Sequence, residues 1–524
     1  VQFSGEKWRI SHEITEFGTK MSSHLENTGD LRERKDMEFR DLQYNHLSIP
    51  SWVISADACW CLLGGNASGK SQLASLLRGQ AHPEAGEILD LPHADSVLCV
   101  SFESQQERYE EELRNDDTDF LDRLDTGTTG LELLMEAGDE AGARAYAEKF
   151  ELGELLDRGI RLFSSGELRK ILLLKEVLKR PALLILDEPY EGLDVDSRAA
   201  LDVFCRQLVE EGMARVQSVL LLVNRLDDVA DWCTHLALLQ KGCLLTAGER
   251  TTVLKQPEVA HLLKFDTEMV PELPSPPASA SGLTSLGSGP LVEMKDLSVH
   301  YGEITQFEGF DWTLHPGQHS LITGPNGAGK STLLQLIIGE HPQCYTNDLK
   351  VFGYQRGSGE SIWEIKQHIG LVSASLHRDY RAPGNLLSVV VSGLFDSIGL
   401  YQKPQRHELA LAMQWLDLIG LGGDKAKELF QKQSYGQQRL VLIARGLIKQ
   451  PPLLILDEPT QGLDDINRYL VLAFIEKLAV LERTTMLFVS HRQDEHLELF
   501  EHRVHFEASD RTGVRYEAKV LAGR

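Results

Sequence analysis

A few short runs along the chain are apolar at every position. Cys59 to Leu63, Leu183 to Leu186 and Leu220 to Val223 are wholly apolar in the first half, as are Leu453 to Leu456 and Met486 to Val489 in the second. Runs of this length without alternation predict parallel strands covered on both faces. Two strands, Cys59 to Leu63 and His319 to Thr323, run into glycine-rich stretches. Behind each stretch the apolar residues recur at helical spacing: Leu73, Leu76 and Leu77, then Leu333, Leu334, Leu336 and Ile337. The pattern predicts an α/β chain in which one unit, a mainly parallel sheet with helices, occurs twice.

The glycine-rich stretches carry the chemistry. Gly64-Gly65-Asn66-Ala67-Ser68-Gly69-Lys70-Ser71 and Gly324-Pro325-Asn326-Gly327-Ala328-Gly329-Lys330-Ser331 both read G-x-x-x-x-G-K-S, and Thr332 follows the second. Between a strand and a helix, such a loop turns successive backbone N–H groups onto phosphate oxygens, and the helix N-terminus adds partial positive charge. Lys70 and Lys330 would reach the β- and γ-phosphates of ATP, and Ser71 and Ser331 would give a hydroxyl to Mg²⁺. The runs at Leu183 and Leu453 end in Asp-Glu-Pro. Asp187 and Asp457 are therefore expected to hold Mg²⁺, and Glu188 and Glu458 to polarise the attacking water.

Composition narrows the partners. The net charge of −25 and pI of 5.2 weigh against a nucleic-acid surface, which needs a basic stripe. The acidic excess is concentrated between Glu103 and Glu148, as a solvated helical face or a docking surface for a basic partner. No apolar run approaches the roughly 20 residues of a membrane-spanning helix, and the N-terminus has no signal-like hydrophobic stretch. A cytoplasmic chain is expected, peripheral on the inner membrane where a partner holds it. The seven cysteines form no C-x-x-C pair and fit reduced thiols. Cys59 and Cys61 should face one side of their strand. Residues 271–290, rich in Pro, Ser and Gly, read as a linker between units 1–270 and 291–524. As a flexible coil it spans about 25 Å, and stretched about 65–70 Å, so pairing of the two units within one chain is favoured.

The segments Ser164-Ser165-Gly166-Glu167 and Ser434-Tyr435-Gly436-Gln437 precede their acidic pairs by the same interval. They resemble the Ser-Gly-Gly-Gln signature of the ABC ATPases. Gly192-Leu193-Asp194 and Gly462-Leu463-Asp464 resemble that family's D-loop, His491 its switch histidine, and Tyr301 the aromatic that stacks on adenine. The resemblance implies two fused P-loop NTPase domains of ABC type, each with a helical subdomain, paired head to tail so that each ATP lies between one phosphate loop and the opposite signature. Site one would join Lys70, Asp187 and Glu188 to Ser434 and Gly436. Site two would join Lys330, Asp457, Glu458, His491 and Tyr301 to Ser164 and Gly166. The stretch from Tyr345 to Arg381 is further similar to ModF-type tandem ATPases, which are associated with molybdate transport. It implies a subunit energising a membrane transporter.

The two sites depart from the family pattern differently. Asn224 stands where the first switch histidine should be, and asparagine can neither carry a proton nor a charge. Losing one transition-state contact costs roughly 10²–10³ in rate. Ser165 and Tyr435 replace the middle signature glycines, and Tyr435 falls in site one. Site two is therefore expected to hydrolyse and site one to hold ATP. Gln105 or Gln106 is the candidate Q-loop glutamine of the first half, whereas Val372-Ser373-Ala374-Ser375 offers none. Trp8, Phe39 and Tyr44 are candidates for the first adenine-stacking residue. The alternatives to a transport subunit are a soluble tandem ATPase acting on ribosomes or nucleic acid, and an ATP-dependent regulatory sensor.

Overall fold

The computed structural model describes residues 35–56, 58–115, 125–212, 218–256, 259, 272–275, 289–302 and 304–521. Trp8 lies outside them, as does most of the stretch 271–290. The chain is mixed α/β. In the first half nine strands form one sheet, in the order Ala85–Leu89, Met37–Tyr44, Leu47–Ile54, Cys243–Glu249, His235–Gln240, Cys59–Gly64, Ser218–Val223, Leu183–Asp187 and Val97–Ser101. The last five are parallel. These are the uniformly apolar runs, and Ser218–Val223 and Leu183–Leu186 are buried throughout.

The second half repeats the parallel core in a six-stranded sheet: Ile369–Val372, Leu453–Asp457, Thr485–Val489, Ser320–Thr323, His502–Ala508 and Tyr516–Leu521. Its last strand, Tyr516–Leu521, is antiparallel to His502–Ala508, and four further antiparallel strands, including the hairpin Val292–Tyr301 and Ile304–Leu314, form a separate sheet. In each half the parallel core separates two hydrophobic clusters. Cys59, Cys61 and Leu63 point into one, with Ile171 and Leu174 of the helix Ser165–Leu178, while Trp60 and Leu62 point into the other, with Leu73 and Leu77. This is the period-two alternation expected for the two cysteines. All seven cysteines are free thiols. Among the described residues no helix is long and apolar enough to cross a membrane.

Candidate active site: two nucleotide sites of unequal build

Both glycine-rich loops leave the C-terminal end of a central strand and open a helix, Lys70–Leu77 in the first half and Lys330–Ile338 in the second. The turn requires positive φ at equivalent places: Gly69 at 107° and Gly329 at 106°, Ala67 at 60° and Gly327 at 74°. Each lysine folds over its own loop. Lys70 Nζ donates to the carbonyls of Gly64 at 2.5 Å and Gly65 at 3.3 Å, and Lys330 Nζ to those of Gly324 at 2.9 Å and Pro325 at 2.7 Å. A ligand with stronger acceptors would redirect these ammonium groups. Ser68 and Ala328 are buried beneath the loops. Ser331 Oγ donates to Asp457 Oδ2 at 2.9 Å, so a hydroxyl and a carboxylate converge as an octahedral divalent ion needs. Ser71 is exposed on the first turn of its helix. Thr332 Oγ1 lies 3.1 Å from the hydroxyl of Tyr301, which also stands 3.4 Å from His341 Nε2.

The acidic pairs sit in matching registers. Asp187 pairs with Leu222 and Asp457 with Val489, so Asn224 and His491 occupy the same place, two residues beyond those partners. Glu188 and Glu458 both adopt the left-handed region, with φ of 50° and 49°. That conformation is costly for glutamate, and its repetition marks a site where backbone strain is retained. Their electrostatics then diverge. His491 Nε2 lies 2.6 Å from Glu458 Oε1. Burial alone would push the Glu458 carboxyl up, but the His491 imidazole, with Lys330 and Arg439, holds it below the ordinary range. Glu188 has no imidazole. Asn224 offers only its backbone N–H, at 3.2 Å, and Lys70 Nζ stands 3.6 Å away. Burial pushes Glu188 up to about 8, against the pull of Lys70. The two aspartates are alike: burial raises both Asp187 and Asp457 to about 6.

The halves meet across these loops. The Asn66 backbone N–H donates to Asp464 Oδ2 at 2.6 Å, and its side chain to the Gly462 carbonyl at 3.0 Å. The mirror contacts run from Asn326 to Asp194 Oδ2 at 2.9 Å and to the Gly192 carbonyl at 3.2 Å. Each phosphate loop is thus tied to the D-loop of the other half. At site one the signature joins in: a Cβ on Gly436 would fall 1.8 Å from Asn66 Nδ2, so a larger residue there would displace the Asn66 side chain. A cavity of about 440 Å³ there is lined by the loop from Asn66 to Gln72, by Asp187 and Glu188, and by Ser434, Tyr435 and Gly436. At site two the neighbour that a Cβ on Gly166 would meet is Ser197 of its own half. Ser164 and Ser434 both cap their signature helices, accepting from Glu167 N–H at 3.2 Å and Gln437 N–H at 3.4 Å.

Several residues escaped sequence reasoning. Arg169 and Arg439, five positions into the signatures, are fully buried. Arg439 donates to the carbonyls of Pro459, Ser373, Asp457 and Glu458, and Arg169 to those of Pro189 and Glu191. Each locks a signature helix to the loop behind the acidic pair. Identical spacing in the two halves was the available signal. Arg225 crosses between halves, donating to the carbonyls of Leu463 at 2.8 Å and Thr460 at 2.6 Å. His46 lines the site-one cavity. Of the adenine candidates, Phe39 is wholly buried and stacked on Trp52. Tyr44 opposes Leu47 across its hairpin as Tyr301 opposes Ile304, so Tyr44 holds the equivalent position. Gln105 is buried, donating to the Ser165 carbonyl at 3.0 Å and accepting from Arg169 at 2.5 Å, while Gln106 bonds Glu110 at 3.4 Å. Both are engaged within their own half.

Comparison with known proteins agrees with this geometry. The ABC transporter family model matches residues 47–191 and 307–461. The chain is similar to the ABC transporter ATP-binding protein ModF of Escherichia coli (strain K12), 39% identical over 89% of this chain and 95% of that one. It is 27% identical to an uncharacterized ABC transporter ATP-binding protein of Schizosaccharomyces pombe, over 87% and 94%. A shorter match, 31% identical over 39% of this chain and 74% of the relative, is to the molybdate import ATP-binding protein MolC of Haemophilus influenzae. Among solved structures, a model of ribosome-bound archaeal Pelota and ABCE1 shares the fold, with a TM-score of 0.58, 19% identity and coverage of 93% and 78%. The duplicated loops, acidic pairs and signatures, and the two family matches that coincide with them, show that the chain belongs to the ABC transporter family as a tandem ATP-binding protein, an ATPase.

Proposed function

We propose that the chain is the ATPase subunit of a transport complex, with site two as its motor and site one as a retained nucleotide site. The observation that carries the asymmetry is the 2.6 Å approach of His491 to Glu458 set against Asn224 at the equivalent place. In site two Glu458 is an ionised carboxylate beside an imidazole, able to polarise water and pass on its proton. In site one Glu188 is protonated at neutral pH and has no such partner. The Asn224 Oδ1 is buried and without a hydrogen-bond partner among the described residues, and an asparagine amide cannot move a proton. Asp457 with Ser331, and Asp187 with Ser71, fit Mg²⁺; when bound, the ion neutralises developing phosphate charge. The units 1–270 and 291–524 would close head to tail on ATP, with 271–290 as tether, and pass that closure to a membrane protein.

Two relatives favour transport: ModF is named a transporter ATP-binding protein, and MolC a molybdate import one. Molybdate is accordingly the cargo we infer. The soluble alternative has its own support, since a ribosome-bound tandem ATPase shares the fold. The net charge of −25 weighs against direct nucleic-acid contact. After incubation with Mg-ATP and rapid desalting, about one unhydrolysed ATP per chain should remain. Complete conversion to ADP would overturn the division of labour. In cell extracts the chain should travel with detergent-solubilised membranes. Sedimentation with ribosomes would replace the transport reading with the soluble one.

A further inference from the structure

The site-one cavity contains, besides its phosphate loop, Phe102, which follows the strand beside the acidic strand, and Tyr435, the middle residue of the opposite signature; their counterparts at site two follow from equivalent positions. Register fixes the first pair. Val100 pairs with Leu186 and Val372 with Leu456, so Phe102 and Ala374, two residues on, are equivalent. Both begin a helix, Phe102–Arg114 and Ala374–Asp379. Site one therefore combines Phe102 with Tyr435, and site two combines Ala374 with Ser165. One site has two aromatic rings where the other has a methyl and a hydroxymethyl group.

The rings are in contact across the two halves. Phe102 and Tyr435 meet edge to face, with centroids 6.5 Å apart and planes at 80°. Both line the site-one cavity. Each is held from behind within its own half. The guanidinium of Arg169 lies 5.5 Å over Phe102, and Phe102 abuts Gly192, where a Cβ would come within 3.2 Å of its ring. Tyr435 packs 4.4 Å from His377, whose Nε2 lies 2.9 Å from Gln438 Oε1. Its other face covers Gly462, so closely that a Cβ there would sit 2.2 Å from Cε1. Gly462 also accepts from Asn66 and donates to Glu191 at 2.6 Å. Tyr435 thus presses on the D-loop residue that grips the opposite phosphate loop.

We propose that Phe102 and Tyr435 form an aromatic clasp that keeps site one assembled through the catalytic cycle. They are positioning residues: the contact forms between protein groups, needs no γ-phosphate, and slows the parting of Asn66 from Gly462 and Gly436 that nucleotide release requires. Site two, with Ala374 and Ser165, lacks such a contact and opens each turn. The inference rests on the reading of site one as the retained site, but it is tested on release alone, without turnover.

The test is release of a fluorescent ATP analogue from the full-length chain, chased with unlabelled ATP. Lys330→Ala leaves site one as the measured site, and Lys70→Ala leaves site two. In the first background Phe102→Ala and Tyr435→Ser should each speed release about three- to tenfold. The double variant should be no faster than the faster single one, because either change breaks the same contact. Tyr435→Phe, which keeps the ring, should release as slowly as the parent. In the Lys70→Ala background none of these changes should alter release, which also shows that the variants are folded. Additive single effects, unchanged release, or equal release from Tyr435→Phe and Tyr435→Ser would overturn the clasp. Equal turnover at the two sites would overturn only the division of labour.

Discussion

At the residue scale one difference between the two sites is an imidazole, and its consequence is electrostatic. A carboxyl held up to about 8 is mostly protonated at pH 7 and ionises as pH rises through that value. Residual turnover in a Glu458→Gln chain, which reports site one, should therefore rise about fivefold between pH 7 and 8. The Glu188→Gln chain, driven by a Glu458 already ionised, should show no such rise; parallel pH profiles would refute the assignment. Stability carries the opposite sign. Folded Glu188 keeps a proton that the unfolded chain loses near 4.5, so its contribution falls as pH rises from about 4.5 to 8. Glu188→Gln should raise the melting temperature at pH 8 by a few degrees, on the order of 1 kcal/mol. Asn224 and His491 were legible in the sequence because each follows an apolar strand. The fate of the glutamates was not, because it depends on which charged groups the fold brings beside each buried carboxylate.

At the element scale the strand–loop–helix units and acidic strands were legible, since uniform apolar runs admit few structures other than buried parallel strands. The locks between elements were not. Arg169 and Arg439 are charged residues in helices, and nothing local says that they are buried or that they satisfy carbonyls behind the acidic pair. Arg439→Ala leaves those carbonyls without their donor and should destabilise the chain by about 2–4 kcal/mol, read by thermal melting. A change within 0.5 kcal/mol would show that the lock is dispensable. The strand-end glutamine was left open between Gln105 and Gln106. In the structure Gln105 is buried against the signature helix of its own half, and Gln106 bonds Glu110, contacts that depend on tertiary packing rather than on local sequence.

At the scale of the whole molecule, duplication supplied two sites and divergence made them unequal. The crossing bonds of Asn66 and Asn326 are symmetric between the halves, while Asn224, Tyr435 and Phe102 all line site one. Asn224 and the Phe102–Tyr435 contact at one site, and an imidazole–carboxylate pair at the other, are the features on which the proposed retention of one ATP and hydrolysis of the other rests. Steady-state ATP hydrolysis of the full chain, compared with its Glu188→Gln and Glu458→Gln variants in Mg²⁺, tests this division most directly. Glu458→Gln should lower turnover by about 10²–10³, with Glu188→Gln remaining close to the parent. Equal losses from the two substitutions would contradict unequal sites.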